Sequence, residues 1–292
     1  MSARILFSAD GEPVALHDLG GRGTPLLLTH GNGLNAGMWA AVTPLLSDRF
    51  HLWGLDFRGQ GAAGAARAQG VGARGPITEL DVERDRFAED LLVAVEAIGG
   101  PPALTAGHSL GGVATIKAEQ RWPGTFRAAW LFEPVLIPVG FERPSDVNID
   151  LVEIARRRRQ VFDSVDDAYE RFLSKPPFDR CDPAAVRAYV EIGTYPSDDG
   201  TVRLSCTGET EARVFSSGEP MDFASFAEIR CPTVVACGGT AQLGEIPAMV
   251  APLVAKALGE ARLERFDDQT HFGPMEEPEA IAASILAHLG PV

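Results

Sequence analysis

The sequence predicts an α/β fold, with a mostly parallel sheet covered by helices on both faces. Three observations predict it. Short apolar runs without polar alternation, such as Pro25-Leu26-Leu27-Leu28-Thr29 and Pro232-Thr233-Val234-Val235-Ala236-Cys237, read as strands buried on both sides. Segments with apolar residues at helical spacing alternate with those runs, as βα repeats require. The chain has 292 residues, 45% apolar and 23% charged, enough for a sizeable core.

Taken in order, strands are expected at residues 4–8 and 14–19, joined by a turn at Asp10-Gly11, then at 25–29 and 51–56. Between the last two, a helix presents Trp39, Val42, Leu45 and Leu46 on one face. Residues 59–76 are rich in Gly, Ala and Arg and lack a period, so they read as a flexible loop. A helix over 79–98, a strand over 102–106, a helix from Ser109 and a strand over 126–132 resume the alternation. The pattern then changes. Residues 137–229 carry charged helical segments at 152–162, 165–174 and 183–192 with no clear buried strand. After them come a strand at 232–237, a helix near 246–258, a strand at 261–266 and a helix near 278–289. The expected organisation is a core of residues 1–136 and 230–292, with 137–229 as a helical cap inserted after the sixth of eight strands. In open α/β sheets ligands bind beyond the carboxyl ends of the strands, so such a cap would form a wall of the pocket.

A formal charge of −14 repels phosphate backbones, which argues against nucleic-acid binding. The four cysteines, Cys181, Cys206, Cys231 and Cys237, fit no zinc or redox spacing and read as free thiols. No long apolar segment suggests a leader or a membrane span, so a cytoplasmic protein without membrane association is expected. Neither a metal-ligand cluster nor a phosphate loop is present, and no cofactor or metal is expected.

The chemistry-bearing motif is Gly107-His108-Ser109-Leu110-Gly111, which fits G-x-S-x-G between a strand and a helix. The sharp turn needs small neighbours, lifts the serine hydroxyl above the sheet and sets it at a helix N-terminus. A serine hydroxyl is a weak nucleophile until a base takes its proton. Of six histidines, His271 lies in a loop after the last strand, between Thr270 and Phe272.

These pieces resemble the α/β-hydrolase superfamily, in its capped branch. The matching segments are His30-Gly31-Asn32-Gly33, Asp56-Phe57-Arg58-Gly59-Gln60-Gly61, Gly107-His108-Ser109-Leu110-Gly111-Gly112 and His271-Phe272-Gly273-Pro274-Met275, in family order over nearly the whole chain. The resemblance implies Ser109 as nucleophile, His271 as base, and an oxyanion hole from the backbone N–H groups of Leu110 and Asn32, with the Asn32 side chain as a further donor. Substrate contacts are expected from His30, Gly31 and Gly33, from Trp39 downstream, from His108 in the elbow and from Phe272.

The triad acid departs from the common pattern. The loop after the seventh strand, Cys237-Gly238-Gly239-Thr240-Ala241-Gln242-Leu243-Gly244-Glu245, has no Asp near Ala241 or Gln242. Glu133, closing the sixth strand 24 residues after Ser109, is the favoured acid, placed as in haloalkane dehalogenases. Glu245, a dyad or another acid are the alternatives; Asp267 and Asp268 lie too near His271 along the chain. A serine nucleophile points to a small-molecule acyl substrate (an ester, lactone or thioester), because attack on an sp³ carbon would leave a dead-end ether. Phe141, Phe162, Tyr169, Phe172 and Phe178 of the insert are read either as apolar lining or as its own small core, the latter preferred. The rival readings are a lyase, perhydrolase or acyltransferase on the same scaffold, or a ligand sensor that lost turnover.

Overall fold

In the computed structural model, all residues are described except 1–2, 73–74, 77–78, 143–148, 219, 240–245, 260 and 291–292. The strands are β1 (Ala3–Phe7), β2 (Pro13–Gly21), β3 (Thr24–Thr29), β4 (Phe50–Asp56), β5 (Ala103–His108), β6 (Phe126–Phe132), β7 (Val161–Phe162), β8 (Thr194–Pro196), β9 (Val202–Leu204), β10 (Thr233–Gly238) and β11 (Ala261–Phe266). The helices are α1 (Thr43–Leu46), α2 (Gly61–Ala68), α3 (Arg84–Ala97), α4 (Leu110–Arg121), α5 (Leu151–Arg157), α6 (Val165–Leu173), α7 (Pro183–Gly193), α8 (Gly208–Ser216), α9 (Ile246–Ala257), α10 (Gly273–Glu276) and α11 (Pro278–Leu289). Eight strands form one sheet in the order β1-β2-β4-β3-β5-β6-β10-β11. β2 runs antiparallel to β1 and β4, and the other neighbours are parallel.

The apolar runs are buried on both faces, and alternate residues serve opposite cores. On β3, Leu27 enters one core while Leu26 and Leu28 enter the other; on β6, Leu131 and Trp130 divide the same way. The first core is closed by Phe87, Leu91 and Val95 of α3, by Val113 and Ile116 of α4, and by Val250 and Val254 of α9. The second is closed by Ile281, Ile285 and Leu289 of α11, and by Met38, Trp39 and Leu46. Each fully buried Leu or Ile contributes roughly 1.5–3 kcal/mol of transfer free energy.

Three expectations are corrected. The Gly/Ala/Arg-rich segment is not all loop, because Gly61–Ala68 forms α2. Alanine is the strongest helix former, and the glycines are there for space. A Cβ on Gly61 would fall 2.2 Å from Asp56 Oδ2, and one on Gly64 2.7 Å from the carbonyl oxygens of Gly59 and Ser205. The stretch between β6 and β10 is also not purely helical: it holds a three-stranded antiparallel sheet, β7-β9-β8. The expected helix over 152–162 stops at Arg157, and Val161–Phe162 pairs with β9 instead. Strands of two or three residues are too short to leave a period in the sequence.

The helix expected over 79–98 starts later, at Arg84, behind an extended Glu83. No helix among the described residues is long and apolar enough to cross a membrane.

Candidate active site

Ser109 sits between β5 and α4 with φ +49° and ψ −110°. Among the described residues only one other non-glycine has a positive φ, Glu133 at +44°. Such conformations cost about 1–3 kcal/mol each and persist only where surrounding structure imposes them. The two positions are linked through the sheet. His108 of β5 pairs with Phe132 of β6, and the Ser109 amide donates to the Phe132 carbonyl at 2.9 Å. Each strained residue therefore lies one step beyond a registered pair, at the carboxyl edge of neighbouring strands.

Close packing enforces the bend. A Cβ on Gly107 would meet backbone of Gly111 and Gly112 at 2.9 Å, and one on Gly111 would lie 2.3 Å from Thr29 Oγ1. On the facing loop, a Cβ on Gly31 would lie 2.6 Å from His108 Nδ1 and 3.2 Å from Ser109 Cβ. The loop around Gly31 is thus pressed directly against the elbow. The Leu110 amide lies in the first turn of α4, where backbone N–H groups lack intrahelical partners.

Glu133 is 1% exposed and held from three sides. Its amide donates to the Ala236 carbonyl at 2.8 Å, and Oε1 accepts from the Gly238 amide at 2.9 Å. Its Oε2 lies 2.6 Å from Nδ1 of His271. With Nδ1–H donated to the carboxylate, Nε2 of His271 is the nitrogen that remains to accept a proton. His271 keeps 21% of its side chain exposed, and its carbonyl accepts from His108 Nε2 at 2.8 Å. Glu245, the alternative acid, lies outside the described residues.

The other expected contacts divide. Phe272 stands 6.1 Å from the His271 ring and 5.5 Å, edge-on, from Phe178. His108 is 1% exposed, and burial first, then the nearby His271, holds it well below the usual histidine range, so it is neutral. His30 is fully buried. Its Nδ1–H donates to the Gly31 carbonyl at 2.8 Å, and Nε2 accepts from the Phe57 amide at 3.2 Å. It staples the loop instead of facing a cleft. Trp39 likewise has no exposed surface; it sits in the second core with its indole N–H on the Thr29 carbonyl at 3.3 Å. Both are corrected from substrate contacts to packing residues, because they lie at the base of the loop where the sheet buries them. The Asn32 side chain is tied down: Nδ2 donates one of its two N–H groups to the Glu211 carbonyl at 3.0 Å.

The insert's aromatics join the second core. Phe162, Phe172, Phe178 and Tyr189 form a ring cluster, with Phe178 stacked on Tyr189 at 5.1 Å. Phe141 packs against the first core instead. Of the motif Asp56 to Gly61, the polar residues are all structural anchors. Asp56 holds His17 and the amides of Ala36 and Ala62. Arg58 pairs with Asp90 and Asp10, and Gln60 Oε1 accepts from the Gly33 amide at 2.7 Å.

Sequence reasoning missed a second group beside the Gly31–Gly33 loop. Arg158 pairs with Glu211 and donates from Nη2 to the Tyr189 hydroxyl at 2.7 Å. Arg158 stands in a run of four arginines, 156–159, which reads as a solvated face; no periodicity marks which member turns inward. A cavity of about 10 Å³, room for about one water, is walled by Gly33, Asn35, Arg158 and Tyr189 among others. Ser109 and His271 are not among its walls, so it belongs to the loop's support and not to the reacting centre. Among the described residues no three His, Cys, Asp or Glu side chains converge as a metal site.

A serine at a strained strand-to-helix bend, a histidine from the last loop and this sheet order define the class as an α/β-fold hydrolase. The model of the alpha/beta hydrolase family matches residues 26–284, and the chain belongs to that family. It is similar to a carbamate hydrolase, RutD, of Azorhizobium caulinodans, 25% identical over 289 residues and covering 98% of both chains. It is also similar to a pimeloyl acyl-carrier-protein methyl ester esterase of Methylococcus capsulatus, 27% identical over 154 residues, 53% of each chain. Among solved structures it resembles E-2-(acetamidomethylene)succinate hydrolase, with a TM-score of 0.74 at 18% identity over 99% of this chain and 98% of that one.

Proposed function

We propose that the protein cleaves a carboxylic ester, lactone or thioester of a small to medium apolar substrate through an acyl-Ser109 intermediate, under a cap formed by residues 137–229. The observation that carries this reading is the 2.6 Å contact between His271 Nδ1 and Glu133, which leaves Nε2 available as a base in the same site as the elbow serine.

In this reading Ser109 Oγ attacks the acyl carbon while His271 Nε2 takes its proton. The carbonyl oxygen becomes an oxyanion held by the backbone N–H groups of Asn32 and Leu110, each such donor worth about 2.7–4 kcal/mol in the transition state. Collapse expels the alcohol or thiol, which receives the proton from His271. Water, deprotonated by the same nitrogen, then attacks the acyl-serine and releases the acid, and Ser109 recovers its proton. Glu133 holds the imidazole tautomer and stabilises the imidazolium without taking the proton itself. The apolar substrate preference is supported by Phe272, whose ring stands 6.1 Å from that of His271. The esterase and carbamate hydrolase relatives support acyl chemistry.

A fluorophosphonate probe tests the reading. Ser109 should be labelled in the folded protein, and Ser109→Ala should abolish both labelling and about 10⁴-fold or more of the hydrolysis of a chromogenic ester. A folded wild-type protein that neither labels nor turns over any acyl substrate overturns it.

A further inference from the structure

We propose that Tyr189, oriented by the Arg158–Glu211 ion pair, is a positioning residue that fixes the oxyanion loop; the proposal rests on the reading of Asn32 N–H as an oxyanion donor. The argument starts from Gly31-Asn32-Gly33. Glycines on either side of Asn32 leave the loop without intrinsic stiffness, and Gly33 adopts φ +76°. An oxyanion donor works only when its direction is set before the charge develops. The stiffness must therefore come from outside the loop.

Much of it comes from α7 and α8. The Tyr189 hydroxyl donates to the Gly33 carbonyl at 3.2 Å. Asn35 Nδ2 donates to the Tyr189 carbonyl at 2.8 Å, and Asn32 Nδ2 to the Glu211 carbonyl at 3.0 Å. Two residues of α7 and α8 thus hold three points of this segment, at Asn32, Gly33 and Asn35. Gln60 from the core holds the Gly33 amide.

The hydroxyl direction is chemically forced. Arg158 has only donors, so the tyrosine oxygen must accept from it. Its single proton is then committed to the Gly33 carbonyl. Glu211 balances the Arg158 charge and packs its carboxylate against Gly33, where a Cβ would lie 2.7 Å from it. Removing the hydroxyl leaves the Gly33 carbonyl and one Arg158 N–H without their partner, while the ring keeps its stacking on Phe178.

The test is Tyr189→Phe, compared with wild type on one chromogenic ester and on two inhibitors. One is a trifluoromethyl ketone, whose carbonyl carbon is attacked by Ser109 while the proton passes to His271 and the oxygen becomes a bound oxyanion. The other is the carboxylic acid product, which forms no adduct. We expect kcat to fall about tenfold with KM within twofold, and trifluoromethyl ketone affinity to fall about tenfold with product affinity unchanged. Arg158→Lys, which retains the charge but loses the planar fork, should give a smaller loss of the same pattern, and it serves as the variant if Tyr189→Phe does not fold. Folded variants of a labelling, active wild type that keep full kcat and ketone affinity overturn the proposal. So does an equal loss for both inhibitors, which marks general damage to the pocket. A wild type that never labels at Ser109 overturns the underlying functional reading instead.

Discussion

His271 Nδ1 and Glu133 Oε2 lie 2.6 Å apart although 138 positions separate them in the chain. The carboxylate belongs to the end of β6, not to the loop after β10. That loop still takes part, since the Gly238 amide holds the second carboxylate oxygen at 2.9 Å. The glutamate side chain is one methylene longer than aspartate, and with φ +44° it turns back toward the histidine loop.

From this contact, Glu133→Gln is expected to lower kcat about 10³–10⁴-fold, because an amide no longer compensates the imidazolium or secures the tautomer. Glu245→Gln should stay within a few-fold of wild type. Steady-state ester hydrolysis by both variants checks the assignment, and the reverse ranking would move the acid away from Glu133.

Gly31→Ala should cripple the enzyme through space alone. The new methyl would lie 2.6 Å from His108 Nδ1 and 3.2 Å from Ser109 Cβ. Overpacking of this kind costs about 1–3 kcal/mol of stability. Misplacing the nucleophile should cost about 10²-fold in rate. Thermal denaturation and ester hydrolysis on the same preparation read both effects.

The buried His17–Asp56 pair makes stability depend on pH. Burial lowers the His17 pKa, but attraction to and hydrogen bonding with Asp56 outweigh it, and the result lies above the ordinary 6.5. Burial raises Asp56, yet the His17 charge, the hydrogen bond from His17 and the Ala36 amide bring it below 3.8. The histidine's contribution is complete below pH 6.5 and is lost as pH rises through its folded value. The aspartate's contribution is present above 3.8 and is lost as pH falls through its lower folded value. The urea midpoint of wild type should therefore exceed that of His17→Gln most between about pH 4 and 6.5, and the gap should shrink by pH 9. Equal gaps at pH 5.5 and pH 9 would contradict a charged pair.

All four cysteines are buried. Desolvation pushes Cys181, Cys206 and Cys231 up to about 12 and Cys237 up to about 11. Thiolate is the reactive form, so iodoacetamide at pH 8 should modify none of them in the folded protein and all four in denaturant. Rapid loss of activity on alkylation of the native protein would show that one of them is exposed to reagent.

Much of this was legible in the residues themselves. Buried parallel strands leave continuous apolar runs, so Leu26-Leu27-Leu28 and Val234-Val235-Ala236 announced their sheet. The elbow announced itself through glycines that sterics require around Ser109. Segments whose form depends on distant partners stayed silent. The Gly61–Ala68 helix exists because its glycines fit against Asp56, Gly59 and Ser205, and the short strands of the insert have no period to read.

The amino-acid order alone therefore determined the layered sheet and nominated Ser109, His271 and Glu133, because local patterns and strained turns restrict which residues fit. Only the tertiary structure decided that Glu133 meets His271, that His30 and Trp39 serve packing, and that one arginine of four turns inward to Tyr189 and Glu211. Those outcomes are set by contacts between segments far apart in the chain, and the energy of such contacts depends on position in space, which no local pattern encodes.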